Sequence, residues 1–289
     1  MLIYILSRYR TSYSTARLYE VALSKGHKVK IIDYMQCELK IGSESHIYYQ
    51  GQELEKPDYI IPRIGASATF HGSNVVRQFE MMKVKTVVSA DGLLKSRDKL
   101  RASQNMEFND IMIPVSYFPS PNQDNFDYMI SQVGGIPLII KLLESTQGLG
   151  VFLLNDKDEA RKLLNQFNSQ NAKYLLQEYI EESKGMDVRA FVVGGKVVAA
   201  MKRIALTGEF RSNIHRGGRG EVVILTKEEE QLAIKTAQVL NLDVAGVDIL
   251  QSKRGPLVLE VNSSPGLEGI EKYTQIDVSG TIVDFLESH

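Results

Sequence analysis

The chain has no tryptophan and a single cysteine, Cys37, among its 289 residues. One thiol excludes an internal disulfide and a cysteine-built zinc site, and it suits a reducing compartment, so a cytoplasmic protein is expected. Histidine is scarce too, and His27, His46, His71 and His289 have no spacing that would gather zinc. An excess of either charge is also missing, with 34 Lys and Arg against 35 Asp and Glu. No overall field therefore draws the protein to nucleic acid or anionic lipid, and an anionic ligand must be met by local basic residues. Long apolar runs are absent. The run at 2–6 is too short for a secretory signal or a membrane span and has no basic stretch before it. No repeat or low-complexity segment interrupts the chain.

What is present is a globular sequence long enough for two or three lobes. Apolar strand patterns at 2–6, 29–32, 59–61 and 86–88 alternate with helical ones at 15–24 and 74–82, the rhythm of a small α/β layer. Ser96-Arg97-Asp98-Lys99-Leu100 reads as a boundary at which a helix begins. Beyond it come a helix at 126–133, strands at 138–143, 151–154 and 174–180, and a helix at 158–167. The last third is mainly antiparallel. Strands at 187–193 and 196–201 flank the turn pair Gly194-Gly195, and an amphipathic helix at 226–240 opens with a Thr-Lys-Glu-Glu cap. A hairpin and a final helix to His289 close the chain. Three units are expected, at 1–95, 96–176 and 177–289.

The hairpin is the most informative segment. Val247-Asp248-Ile249-Leu250 and Pro256-Leu257-Val258-Leu259-Glu260-Val261-Asn262 flank a polar turn at 251–255. Alternation puts Glu260 and Asn262 on one face, and pairing Leu250 with Pro256 brings Asp248 to that face one diagonal step away. Three hard oxygen donors then converge, a partial set of the kind magnesium takes up together with water and substrate phosphates. A hairpin with a wet polar face is the alternative. The flanking Ala245, Val247, Ile249, Val258 and Val261 weigh against it, because unpaired carboxylates in a buried hairpin are costly.

Lys141 stands alone in the apolar strand Pro137-Leu138-Ile139-Ile140-Lys141-Leu142-Leu143, where an ammonium needs an anion or must snorkel from a strand end. The loop Ser145-Thr146-Gln147-Gly148-Leu149-Gly150 allows close backbone approach to phosphate and movement as a lid, although an ordinary turn would read the same. Gln177-Glu178-Tyr179-Ile180, a short polar stretch and Asp187 suit an adenine and ribose slot, and equally a plain loop. Arg203, Arg211-Ser212-Asn213 and His215-Arg216-Gly217-Gly218-Arg219 form the most charged cluster, fit for phosphate or carboxylate. Few aromatics accompany it, which argues against RNA.

Taken in order, these residues resemble the ATP-grasp fold and, more closely, the RimK group of amino-acid ligases. The stretches at 61–65, 96–100, 210–218, 243–250 and 260–271 carry the similarity, which covers nearly the whole chain. The fold implied is α/β, an ATP-grasp unit preceded by a small N-terminal α/β domain. The resemblance implies ATP between two lobes, with Lys141 and Lys99 on the phosphates and Gly148 and Gly150 in the lid. Gln177, Glu178, Tyr179 and Ile180 would lie by the adenine, Asp187 by the ribose, and Arg211, Ser212 and Asn213 along the phosphates. It implies magnesium, as two ions replaceable by manganese, on Asp248, Glu260 and Asn262. Arg203 and Arg211 are the candidates for stabilising charge at the transferred phosphoryl group, and Arg63, His215, Arg216 and Gly217 for substrate.

The activity implied is addition of L-glutamate to a C-terminal glutamate of a protein or peptide, a ribosomal small-subunit protein or poly-α-glutamate, through an acylphosphate. A homo-oligomer with no direct nucleic-acid or membrane partner follows by analogy. In the ribosome-modifying pattern more basic residues follow Arg203 and an acidic residue is common before it, whereas this chain has Ile204, Leu206 and Lys202. An ATP-grasp ligase for another amino acid or a cofactor acceptor is the runner-up, and a non-catalytic ATP-binding module the third reading. The intact Asp248, Glu260 and Asn262 set speaks against that last one. Asp248→Asn or Glu260→Gln is expected to abolish ligation while leaving the fold nearly intact, as for a cluster of like charges.

Overall fold

The computed structural model describes residues 1–42, 44–121, 123–143, 150–212 and 217–289. It opens with β1 (Leu2–Leu6), α1 (Tyr13–Ser24) and β2 (Lys28–Ile32), the two strands pairing in parallel. A small antiparallel meander follows, made of β3 (Cys37–Lys40), β4 (His46–Tyr49) and β5 (Gln52–Glu53). Next come β6 (Tyr59–Pro62), α2 (Thr69–Met81), β7 (Lys85–Thr86) and α3 (Ala90–Arg97). The parallel sheet has the order β2-β1-β6-β7. The near-continuous apolar runs of β1 and β6 are what a parallel strand covered on both faces requires.

Asp98 closes α3 and also caps α4 (Lys99–Phe108), its carboxylate accepting the Arg101 amide at 3.0 Å. The next layer contains β8 (Ser116–Tyr117), α5 (Phe126–Ser131), β9 (Leu138–Leu142), β10 (Val151–Leu154), α6 (Lys157–Ser169) and β11 (Tyr174–Glu178). Its strands form an antiparallel sheet in the order β10-β9-β11-β8.

The remainder comprises β12 (Met186–Val193), β13 (Lys196–Ile204), β14 (Arg219–Val222), α7 (Lys227–Val239), β15 (Val244–Ser252), β16 (Gly255–Asn262), α8 (Leu267–Thr274) and α9 (Val278–Ser288). These strands take the order β14-β13-β12-β15-β16. Gly194 and Gly195 turn β12 into β13 with φ of 56° and 74°, the primed turn that the Gly-Gly pair demands. Thr226 and Glu229 cap α7 reciprocally, as the sequence signature predicts.

Among the described residues the buried apolar side chains form two clusters. One core runs from the parallel sheet through α4 to the five-stranded sheet, α8 and α9, and the other belongs to the sheet of β9 and its helices. Glu271 shows how closely the first and last parts are joined. Buried at 8% exposure, it accepts from Tyr13 Oη at 2.8 Å and from the Ser279 amide and hydroxyl at 2.7 Å, linking α1, α8 and α9.

Candidate active site

The five-stranded sheet carries a charged face. Alternation along β12 sends Asp187 and Arg189 to the same side, and the register sets Arg203 of β13 opposite Asp187 and Asp248 of β15 opposite Arg189. In the hairpin, Leu250 pairs with Leu257 and Gln251 with Pro256, so the expected pairing of Leu250 with Pro256 is corrected by one residue. A β-bulge absorbs the difference: Ile249 faces Val258, while Asp248 faces Glu260, leaving Leu259 as the extra residue. Asp248 and Glu260 are therefore a direct cross-strand pair, not a diagonal one. Asn262 lies opposite Gly246, where a Cβ would come within 2.8 Å of Pro265 Cβ.

Like charges do not dominate this face. Arg189 donates from Nε and Nη2 to the two oxygens of Asp248 at 2.7 Å each, and Arg203 Nη2 reaches Asp248 Oδ2 at 2.7 Å. Arg203 also forks onto Asp187, at 2.6 and 2.7 Å, and Ser212 donates its hydroxyl to the same carboxylate. The result is an alternating chain Asp187, Arg203, Asp248, Arg189, in which Asp248 has 0% exposure. Burial favours the neutral acid, but the two arginines overcome it and hold the Asp248 carboxyl well below its ordinary value. Burial opposes the charge on Arg203 in turn, and Asp248 and Asp187 outweigh it, raising the guanidinium above its usual value. The expectation that Asp248→Asn spares the fold is thus corrected, since that change would leave Arg189 without its carboxylate and Arg203 with Asp187 alone.

Glu260 is different. It is exposed, and its only hydrogen bond among the described residues comes from Asn262 Nδ2 at 3.4 Å. Water reaches it in a crowded recess, so the surrounding protein first, and repulsion from Asp248 second, raise its carboxyl above the usual range. Lys141 faces this recess from β9. It is 9% exposed, and burial lowers its amine to about 8, against the pull of Glu260. Lys99, at the start of α4, is lowered by burial as well and feels Glu260 in the same way. It donates to the Leu142 carbonyl at 3.5 Å.

Among the described residues no group of three or more His, Cys, Asp or Glu side chains gathers. A cation here relies on two carboxylates and one amide. Asp248 Oδ1 has one acceptor position left, Glu260 is open, and turning over the Asn262 amide would present its oxygen where its nitrogen now contacts both carboxylates at 3.5 and 3.4 Å. Two carboxylates on directly opposed residues repel one another, and a hard cation relieves that repulsion. The donor set fits such an ion.

Other sequence candidates lie around this centre. Gln177, next to last in β11, is buried and donates to Ser116 Oγ at 2.9 Å, while the Glu178 carboxylate accepts the Val115 amide at 2.6 Å and is paired with Arg254. The Tyr179 hydroxyl is buried without a partner among the described residues, and Ile180 is buried. Arg211 is gripped by Glu209, at 2.9 and 2.7 Å, and holds that carboxyl down at about 2. The Gly150 carbonyl accepts from the Leu142 amide at 2.7 Å, and Gly217 has φ of 91°. Gly148, Asn213, His215 and Arg216 lie outside the described residues.

Arg189 and Arg97 were not singled out by the sequence reading. The signal for Arg189 was the one that revealed Lys141, a lone cation in an apolar strand, here two residues from Asp187. Arg97 was hidden in the helical stretch at 96–100 that named only Lys99.

A RimK PreATP-grasp domain matches residues 1–93, and a RimK-like ATP-grasp domain matches residues 96–286. A protein of Aliivibrio fischeri (strain MJ11) named probable alpha-L-glutamate ligase is 52% identical over 288 residues, covering 99% of this chain and 95% of that protein. One of the same name from Syntrophotalea carbinolica (strain DSM 2380 / NBRC 103641 / GraBd1) is 52% identical over 290 residues, 100% of this chain and 96% of that protein. Among solved structures, the ATP-grasp ligase PsnB complexed with minimal precursor, Mg and ADP superposes with a TM-score of 0.75 at 18% identity, over 99% of this chain and 97% of that one. An identity that low speaks for the fold alone. With both domain matches spanning nearly its whole length and relatives at half identity, the chain belongs to the RimK-like ATP-grasp family and is an ATP-dependent ligase.

Proposed function

We propose that the protein joins L-glutamate to the C-terminal glutamate of a peptide or protein, using ATP and magnesium and passing through an acylphosphate. The observation that carries this reading is the buried Lys141 ammonium set against the open carboxylate of Glu260, with Asp248 directly behind it. Such a site suits a bound polyanion and its cation, and the relatives named probable alpha-L-glutamate ligase supply the amino acid.

In the proposed first step, the acceptor carboxylate oxygen attacks the terminal phosphorus of ATP and ADP leaves. The attacking group and the triphosphate are both anionic, so charge compensation governs the barrier. Lys141 and Lys99 would hold the phosphates from one wall. Magnesium on Asp248, Glu260 and Asn262 would supply further positive charge at the transferred group. Arg203 has its Nε and Nη2 committed, leaving its Nη1 amino group to act. In the second step the neutral amine of glutamate attacks the acyl carbon, the C–O bond to phosphate breaks, and a peptide bond forms with loss of a proton from nitrogen. No side-chain nucleophile is needed. Holding both reactants in line can replace roughly 7–11 kcal/mol of barrier in such reactions.

The test is a mass spectrum of products from ATP, glutamate and a glutamate-terminated peptide, with ADP release followed in parallel. A ladder of equal glutamate increments is expected. Preferential ligation of a non-acidic amino acid would end this reading in favour of the runner-up.

A further inference from the structure

The parallel sheet has its own ligand-binding geometry. From β1 the chain moves outward to β2, then returns across β1 to β6 on the other side, so the strand order reverses between β1 and β6. Open α/β sheets bind ligands in the crevice beyond the carboxyl ends of the strands at such a reversal. Arg63 stands there. It is the residue after β6, and its amide donates to the Leu6 carbonyl at the end of β1 at 2.9 Å. Arg97, at the end of α3, reaches into the same crevice and donates Nη2 to the carbonyl of Ile64.

Two half-buried guanidinium groups then sit together. Neither forms an ion pair among the described residues. Arg63 Nη2 donates to the Pro265 carbonyl at 2.7 Å, and the Arg97 Nε is buried with no hydrogen-bond partner among the described residues. Burial first, and mutual repulsion second, lower Arg63 to about 10, and burial lowers Arg97 as well. Tyr34 first and the Glu260 carboxylate second favour the Arg97 charge against that burial, so Glu260 lies within electrostatic reach of the crevice. The loop that follows β16 closes it, with Ser264 and Pro265 contacting Pro62 and Arg63. Burying two unpaired cations is costly unless something compensates them, and planar guanidinium pairs match carboxylates.

We propose that Arg63 and Arg97 form an anion subsite that takes a substrate carboxylate other than the one being activated, holding it beside Glu260 at the switch point of the N-terminal sheet. This deepens the proposed ligase reading and rests on it for the identity of the substrate. The shared chemistry is a carboxylate, borne either by free glutamate or by the peptide end.

Calorimetric titration of the full chain, with a non-hydrolysable ATP analogue and magnesium present, separates these. L-glutamate, L-glutamyl-L-glutamate and the same dipeptide amidated at its C-terminus serve as probes. Arg63→Gln and Arg97→Gln keep an N–H donor for the Pro265 and Ile64 carbonyls while removing the charge. Each is expected to weaken binding of at least one probe about tenfold or more, with the unfolding midpoint and ATP-analogue affinity unchanged. Loss confined to free glutamate assigns the subsite to the amino acid, and loss for the dipeptide assigns it to the acceptor. Should a Gln variant unfold, the Lys variant, which keeps the charge and loses the planar fork, is read instead, with weaker binding expected. Unchanged binding in the folded variants, or no binding of any probe to the wild type, overturns the proposal. Binding lost in the variants without any ligation product from the wild type counts against the proposed reaction only. A product ladder with unchanged affinity in the variants counts against the subsite only.

Discussion

Replacing Arg189 by methionine tests the charged face most directly. Asp248 is 0% exposed, Arg189 holds both of its oxygens at 2.7 Å, and Arg203 adds one contact at 2.7 Å. In the variant one guanidinium must compensate two buried carboxylates, Asp187 and Asp248. Removing one partner of a buried pair costs roughly 3–5 kcal/mol, and because Arg203 remains, the expectation is about 3 kcal/mol. At about 2–4 °C per kcal/mol the unfolding midpoint should fall by roughly 6–12 °C. Acid supplies a second readout. The folded Asp248 carboxyl is lowered from 3.8, so its contribution is fully present above that pH and drains away below it. In the variant, burial is less fully overcome and Asp248 protonates at higher pH. The gap between the two proteins should therefore be widest at neutral pH and narrow as the pH falls through about 4. Urea denaturation across that range measures both, and adding Asp248→Asn completes a cycle whose coupling should exceed about 1 kcal/mol. A loss under about 1 kcal/mol at pH 7, or a gap indifferent to acid, would refute the network.

Three further outcomes are expected. Burial lowers Lys141 from 10.5 to about 8, so the folded protein gives up that proton before the unfolded chain does. Stability should rise between those two pH values by up to about 3 kcal/mol, and Lys141→Met should flatten the rise seen in urea denaturation. An equal rise in the variant would clear the lysine. Glu271→Gln replaces a buried acceptor of three hydrogen bonds and should cost about 1–3 kcal/mol by thermal unfolding, without altering affinity for an ATP analogue; an unchanged midpoint would show that the Glu271 contacts add nothing to the packing and ion pairs that join α1 and α9. Gly246→Ala puts a Cβ at 2.8 Å from Pro265 and should cost about 1–3 kcal/mol while weakening ligation, because the displaced loop carries the carbonyl that anchors Arg63. Wild-type stability in that variant would mean the loop gives way freely.

The legible parts of the fold were those whose signals are local. Val-Val-Gly-Gly-Lys named its turn, Thr226 with Glu229 named a helix start, and the apolar runs of β1, β6 and β9 named buried strands. The meander β3–β5 escaped because Cys-Glu-Leu-Lys and His-Ile-Tyr-Tyr bury only one face in part and carry charge on the other. The hairpin was placed correctly, but its register was not. The turn that sets Ser252 against Gly255 fixes Leu250 opposite Leu257, and neither it nor the bulge at Leu259 leaves a mark in a pattern read two residues at a time. The donors Asp248, Glu260 and Asn262 were visible as oxygens where apolar residues belong. Their counter-ions were not, because pairing of Arg189 and Arg203 with Asp248 depends on which strands neighbour β12, and strand order is set by the whole sheet.

That pairing decides how the site is charged. Asp187 and Asp248 are matched by Arg189 and Arg203, so those four charges on the sheet face cancel and Glu260 is left as its unmatched carboxylate. The surplus lies opposite, where Lys141, Lys99 and Arg97 converge on the single carboxylate of Glu260, with Arg63 beside Arg97. A carboxylate meeting a phosphate about 4 Å away is opposed by about 4 kcal/mol per pair of unit charges near a protein surface. A wall with a surplus of cations offsets several such terms. The pairing with Arg189 and Arg203 keeps Asp187 and Asp248 from adding to the repulsion. The division of labour follows: one sheet holds its buried carboxylates compensated behind the proposed metal donors, and the facing wall supplies the positive charge that the proposed reaction needs.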